Sequence, residues 1–242
     1  MTLGLYVHIP FCRHKCLYCD FPSYAGLERY RDGYVQALCR DIAASPYAGE
    51  EADTIYIGGG TPSLLAAGEI GRILETLRRT FRIADDAEIT MEANPDSLSY
   101  DKAAALADCG VNRLSLGVQS FSDAMLSFLG RVHTAAQGER AIQAAYDAGI
   151  HNLSLDLMYG LPGQTLADVR RDVERLSQLP VVHASIYSLI VEDGTQLKAG
   201  LEKGDWQLPP DEATEAMART VHDAMHRYGF HHYEISSYAK GP

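Results

Sequence analysis

Three cysteines fall within one short run, Cys12-Arg13-His14-Lys15-Cys16-Leu17-Tyr18-Cys19. Three thiolates on a single loop can ligate three irons of a four-iron cubane and leave the fourth iron without a protein ligand. An iron with an open position can chelate an amino acid through its amine and carboxylate, much as open metal sites elsewhere take water or substrate. Zinc is the competing use of the same residues, with His14 or His8 as a fourth ligand. Structural zinc usually takes a second, distant CxxC pair, and this sequence has none. The chain has five cysteines, an odd number, and the crowding of three of them is poor geometry for a disulfide framework. Cys39, in a helical stretch, and Cys109, just before Gly110, read as small core hydrophobes. Arg13, His14 and Lys15 would offset the negative charge of thiolates and cluster, or would simply be solvated.

A loop of this kind needs a scaffold, and the hydrophobic pattern supplies one. Short apolar or alternating runs at 4–9, 54–58, 87–94, 113–120, 152–159 and 183–190 read as strands. Helical patterns at 28–44, 69–80, 101–109, 135–148, 165–178 and 211–228 separate or follow them. Strand–helix units in series imply a parallel sheet, here a barrel or an open part of one. The cysteine run follows the first strand, at the end where β/α folds bind ligands.

Alternation sorts the strand faces. Ala87, Ile89, Met91 and Ala93 oppose Glu88, Thr90, Glu92 and Asn94. Leu114, Leu116 and Val118 oppose Arg113, Ser115, Gly117 and Gln119. Leu153, Leu155, Leu157 and Tyr159 oppose Asn152, Ser154, Asp156 and Met158. If helices cover the apolar sides, the polar sides face inward. A barrel interior is normally packed with Val, Ile and Leu, so a polar one implies a cavity for a large polar ligand. Gly58-Gly59-Gly60-Thr61-Pro62 closes the second strand. It can serve as a simple turn, or as a place where a ligand meets the backbone and its carboxylate finds free N–H groups.

At 242 residues and 46% hydrophobic content the chain can bury a large core, and one domain over 1–242 is expected. A net charge of −11 gives no electrostatic reason for a nucleic-acid or anionic-membrane partner. The N-terminus lacks a signal-peptide pattern and no stretch approaches a membrane span, so a cytoplasmic protein is expected. His232 to Ala239 reads as an extended segment in need of a neighbour. That leads to the expectation that a C-terminal region follows residue 242.

The segments LYVHIPFCRHKCLYCDF, IYIGGGTPSLL, MEANPDSL, NRLSLGVQSF, LGRVHT and LDLMYGLPGQT together resemble the radical S-adenosylmethionine (SAM) superfamily. More narrowly they resemble its group of anaerobic coproporphyrinogen dehydrogenases and HemW-type heme chaperones, over nearly all of residues 4–239. The resemblance implies a partial (β/α)6 barrel and a 4Fe-4S cluster on Cys12, Cys16 and Cys19. It also implies SAM at the open iron, where many members cleave it to a 5′-deoxyadenosyl radical. Residue by residue, Tyr6, Gly59 and Glu92 match contacts to the cluster-bound SAM. Gly60, Thr61, Gln119, Arg131 and Asp156 match contacts to a second SAM in the dehydrogenase. Tyr18 and Phe21 would give the cluster apolar cover. Dehydrogenases of the group carry a further cysteine where this chain has Phe21, and a longer segment before the first strand. Both departures resemble the chaperones. The expected function is therefore heme binding and delivery, with heme, a heme-acceptor protein and an electron donor as partners and membrane contact only through the acceptor. The alternatives are a coproporphyrinogen III dehydrogenase and a radical SAM methylase or heme-degrading enzyme. A His-Asn followed by Tyr-Trp, the heme motif associated with the group, is expected beyond residue 242; an axial ligand among His222, His226, His231 and His232 is the lesser alternative.

Overall fold

The computed structural model describes residues 2–241. In chain order its elements are β1 (Leu3–Ile9), the short strands β2 (Phe11–Cys12) and β3 (Tyr24–Ala25), α1 (Arg31–Ala43), β4 (Glu51–Gly59), α2 (Ala67–Thr80) and β5 (Arg82–Ala93). Then come α3 (Tyr100–Asp108), β6 (Arg113–Gln119), α4 (Asp123–Leu129), α5 (Ala135–Asp147), β7 (Asn152–Tyr159) and α6 (Leu166–Ser177). The chain closes with β8 (His183–Ser188), α7 (Gln196–Lys203), α8 (Asp211–Arg227), β9 (Phe230–Glu234) and β10 (Ser237–Lys240).

The main sheet runs β1-β4-β5-β6-β7-β8-β10-β9. Its first six strands are all parallel, and β10 and β9 join antiparallel. Among the described residues β1 and β8 do not pair, so the β/α portion is a partial barrel. Each expected strand and helix is present, with ends moved by a few residues. Sequence reasoning missed α4 and α7, which are too short to show a periodic stripe. It also missed the β9–β10 turn. The 232–239 segment finds its neighbour within the chain, because β10 pairs with β8 through Tyr238–Ala184.

The predicted face division organises the core. Ile89, Met91, Leu114, Leu116, Val118, Leu153, Leu155 and Leu157 are all buried in one cluster with helix residues such as Ile73, Leu74, Ile142 and Val173. Each such burial is worth roughly 1.5–3 kcal/mol, and that burial fixes which strand face is left to line the inside. Capping pins the helix starts: the Thr134 and Thr165 side chains accept from the Gln137 and Asp168 N–H groups, each worth about 1 kcal/mol. The inward faces are mostly polar, with one exception. Met158 packs with Leu129 and Leu161 in a second, smaller cluster. Cys39 and Cys109 are partly buried against the main core, as expected of core hydrophobes.

Candidate functional site

The cysteine loop, the glycine loop after β4 and the inward faces of β5, β6, β7 and β8 enclose one open cleft of about 740 Å³, its mouth included. Cys12, Cys16 and Cys19 all line it, and all are free thiols. Two receive hydrogen bonds at sulfur: the Thr61 hydroxyl donates to Cys12 Sγ (3.6 Å) and Arg131 Nη1 to Cys16 Sγ (3.5 Å). Burial raises the Cys19 pKa, against the pull of the Phe21 backbone, Ser23 and Lys15. Free thiols converging on one cleft, with donors aimed at sulfur, have the chemistry of an iron–sulfur ligand set, since such hydrogen bonds tune a cluster. Among the described residues no three His, Cys, Asp or Glu side chains converge tightly enough to share a single metal ion. His8 is no fourth ligand for zinc: its ring nitrogens are bonded to the Tyr6 hydroxyl (3.0 Å) and the Pro22 carbonyl (2.9 Å).

Part of the basic run is structural rather than solvated. Lys15 Nζ donates to the carbonyls of Phe21 (2.7 Å) and Ser23 (3.3 Å), folding the loop on itself. Arg13 pairs with the buried Asp96 carboxylate at 3.0 Å, tying the loop to the segment after β5.

The glycine loop works differently from expectation. Its N–H groups are not free to meet a ligand. Gly59 N–H donates to Glu92 Oε2 (3.0 Å), Gly60 N–H to the Ile9 carbonyl (2.8 Å) and Thr61 N–H to the Phe11 carbonyl (2.8 Å). The loop is thereby laced to the backbone that carries Cys12. Gly59 sits at φ +115°, and a Cβ there would strike the His8 ring at 2.6 Å. A Cβ on Gly60 would lie 2.7 Å from the Phe11 carbonyl and 3.1 Å from Cys12 Sγ.

Glu92, on β5, accepts from the Tyr56 hydroxyl (2.7 Å) as well as from Gly59. Burial raises its pKa, partly countered by those two donors and by His8. Asp156, on β7, is half-buried with only a long bond from Ser115 (3.4 Å), and its desolvation together with the Glu92 charge pushes its pKa up to about 7. Two under-neutralised acids thus face the cavity, a demand for a cationic or proton-rich ligand. Arg131 is a half-buried cation beside them: Nη2 donates to Asn94 Oδ1 (2.7 Å) and the Gly117 carbonyl (2.5 Å). Burial works against its charge, but Tyr18 and Cys16 beside it more than offset that and raise its pKa. The Gln119 amide oxygen accepts from the Tyr187 hydroxyl (3.0 Å).

Of the expected site residues, Tyr18, Gly59, Gly60, Thr61, Glu92, Gln119, Arg131 and Asp156 come together with the three cysteines around this cleft. Tyr6 does not. It is 61% exposed and reaches the site only indirectly, stacking on Tyr56, which holds Glu92. Phe21 stands at the mouth and is 62% exposed, so its cover is partial. Tyr187 and Tyr56 were missed, although alternation on β8 and β4 sets them opposite Ile186 and Ile57 and marks them as inward.

The radical SAM superfamily profile matches residues 6–176. This chain belongs to the radical SAM superfamily. It is 41% identical over 238 residues to the heme chaperone HemW of Bacillus subtilis, covering 97% of this chain and 63% of that protein. It is 42% identical over 241 residues to HemW of Escherichia coli, covering 98% and 63%. The solved coproporphyrinogen III oxidase HemN of E. coli, a radical SAM enzyme, superposes with a TM-score of 0.89 at 26% identity, covering 99% of this chain and 56% of that one. The chain thus spans about 63% of the length of the two HemW relatives. Membership implies a 4Fe-4S cluster and SAM. No helix among the described residues is long and apolar enough to cross a membrane.

Proposed function

We propose that this chain is the radical SAM core of a heme chaperone, with Cys12, Cys16 and Cys19 holding a 4Fe-4S cluster. The similarity to HemW, at 41–42% identity over nearly the whole chain against 26% to the oxidase, carries this reading. When bound, such a cluster supplies an open iron for the amine and carboxylate of SAM and a route for one electron. The residues of this chain do the rest. Arg131 and Thr61 direct donors at the ligating sulfurs. Glu92, locked by Tyr56 and Gly59, and Asp156 present carboxylates to the ammonium and ribose hydroxyls of SAM, with Gln119 available to an adenine edge. Tyr18, partly buried against Leu129 and Met158, gives the sulfur side apolar cover. Heme, a heme-acceptor protein and an electron donor are the proposed partners, and the cytoplasm is the proposed location.

The second reading is coproporphyrinogen dehydrogenation, favoured by the close superposition on HemN. Dehydrogenation requires a substrate propionate held in near-attack placement and shielded from water. Phe21 counts against it, standing exposed at the mouth where the resembling dehydrogenases carry a cysteine. One experiment separates the two. The intact gene product, reconstituted anaerobically and given SAM and a reductant, should develop a heme absorption band on titration with hemin and leave coproporphyrinogen III unchanged by chromatography. Protoporphyrinogen IX formed faster than in a cluster-free control would replace the chaperone with the dehydrogenase.

A further inference from the structure

Gln119 is the one non-glycine residue with positive φ among the described residues, at +71°. It ends β6 just past a register shift, between Gly117–Asp156 and Gln119–Leu157 pairings, that marks a bulge against β7. Left-handed backbone costs an L-residue roughly 1–2 kcal/mol and persists where surrounding structure over-determines it. A bulge beside a site commonly re-aims a side chain.

The tip of β6 is held from several sides. Arg131 bonds the Gly117 carbonyl, His133 Nε2 the Val118 carbonyl (3.1 Å) and Tyr187 the Gln119 amide. Ser120 N–H also donates to the Val118 carbonyl (3.0 Å), closing the backbone around Gln119, and a further hold comes from outside the cleft. Asp172, on α6 and only 4% exposed, accepts from the Ser120 hydroxyl (2.7 Å) through one oxygen and from Phe121 N–H (2.9 Å) through the other. Ser120 Oγ in turn accepts from Ser122 N–H (3.1 Å). Three successive residues after Gln119 are therefore tied, directly or through one oxygen, to a single buried carboxylate. Nothing about α6 packing requires an acid there: its neighbours on the same face are Val169, Val173 and Leu176. A charged group kept in an apolar stripe is costly unless its hydrogen bonds do something.

We infer that Asp172 is a positioning residue, clamping the Ser120–Phe121 turn so that Gln119 stays left-handed with its amide facing the cleft. This deepens the SAM-site reading above and rests on it. Asp172 touches no ligand-facing surface itself; it acts through the turn.

The test uses the cluster-reconstituted protein. Wild type, Gln119→Ala, Asp172→Ala, the double variant and Asp172→Asn are compared for iron content, SAM affinity by equilibrium dialysis, and hydrogen–deuterium exchange of residues 119–122. Asp172→Ala should keep its iron, lose about tenfold in SAM affinity, and exchange faster over 119–122. The double variant should bind no more weakly than the weaker single variant, within about twofold, because both act through one contact. Asp172→Asn keeps an oxygen acceptor and should recover most of the loss. Should Asp172→Ala fail to fold, Ser120→Ala, which leaves the Phe121 bond intact, should give the same pattern in smaller degree. Additive losses in the double variant, or exchange over 119–122 unchanged by Asp172→Ala, would overturn the proposal. If wild type and Gln119→Ala bind SAM equally, it is the role of Gln119 as a contact that fails, and the exchange data still decide whether Asp172 holds the turn.

Discussion

Gly60→Ala isolates the coupling between the glycine loop and the cysteine loop. The added methyl would sit 2.7 Å from the Phe11 carbonyl, 3.0 Å from that of Ile9 and 3.1 Å from Cys12 Sγ. Two of those atoms are backbone and cannot swing aside, so the loops must separate. Separation strains the Gly60-to-Ile9 and Thr61-to-Phe11 hydrogen bonds, worth about 1 kcal/mol each, on top of roughly 1–3 kcal/mol for overpacking. A loss of about 3–5 kcal/mol when both bonds are broken, with Cys12 displaced, follows. Gly68→Ala is the control: it lies in the first turn of α2 with open space around it, and should be neutral or stabilise by up to about 1 kcal/mol. Thermal unfolding and iron per chain after anaerobic reconstitution are the measurements. Gly60→Ala should unfold at lower temperature and retain less iron, while Gly68→Ala matches wild type in iron. A Gly60→Ala protein with full stability and full iron would refute the idea that this glycine sets the spacing of the two loops.

Replacing Glu92 by Ala should weaken SAM binding by about 1.5–3 kcal/mol in calorimetry at unchanged iron content, because a charge-assisted contact is removed. Asp156 gives a pH signature. Its pKa rises from 3.8 in the unfolded chain to about 7 when folded, so the folded protein holds this proton more tightly. Stability from this group is present below about pH 4 and is lost as pH rises towards 7, by an amount of order 4 kcal/mol at most. In ligand-free protein the melting-temperature advantage of Asp156→Asn over wild type should therefore widen from pH 5 to pH 8, while its SAM affinity falls. Among the cysteines, Cys39→Ala and Cys109→Ala should keep full iron by colorimetric assay.

The strands and the interior they line were legible because burial enforces alternation. Ile89 and Met91 must enter the helix-covered core, which leaves Thr90 and Glu92 inside whatever the ligand. That Cys12, Cys16 and Cys19 would share one cleft was legible because they sit on one short loop after the first strand. What escaped depends on contacts between distant segments. That Lys15 folds its own loop, and that Arg13 reaches Asp96, cannot be read from a run of three basic residues. The glycine N–H groups looked free because their partners, Ile9, Phe11 and Glu92, lie on other strands. Alternation places Tyr6 on the inward side of β1 but does not show that it stacks on Tyr56 and stays 61% exposed, since alternation gives a side and not a neighbour. The hairpin of β9 and β10 read as one segment, since Ile235 and Ser236 carry no glycine or proline to mark the turn.

The central claim is that Cys12, Cys16 and Cys19 hold an iron–sulfur cluster with one iron open to SAM. Electron paramagnetic resonance of the anaerobically reconstituted, reduced protein tests it most directly. A reduced 4Fe-4S signal that changes on adding SAM, and that disappears when any one of the three cysteines is replaced by alanine, is the predicted result. A colourless protein that holds only zinc, or a cluster signal that survives the loss of Cys16, would contradict it.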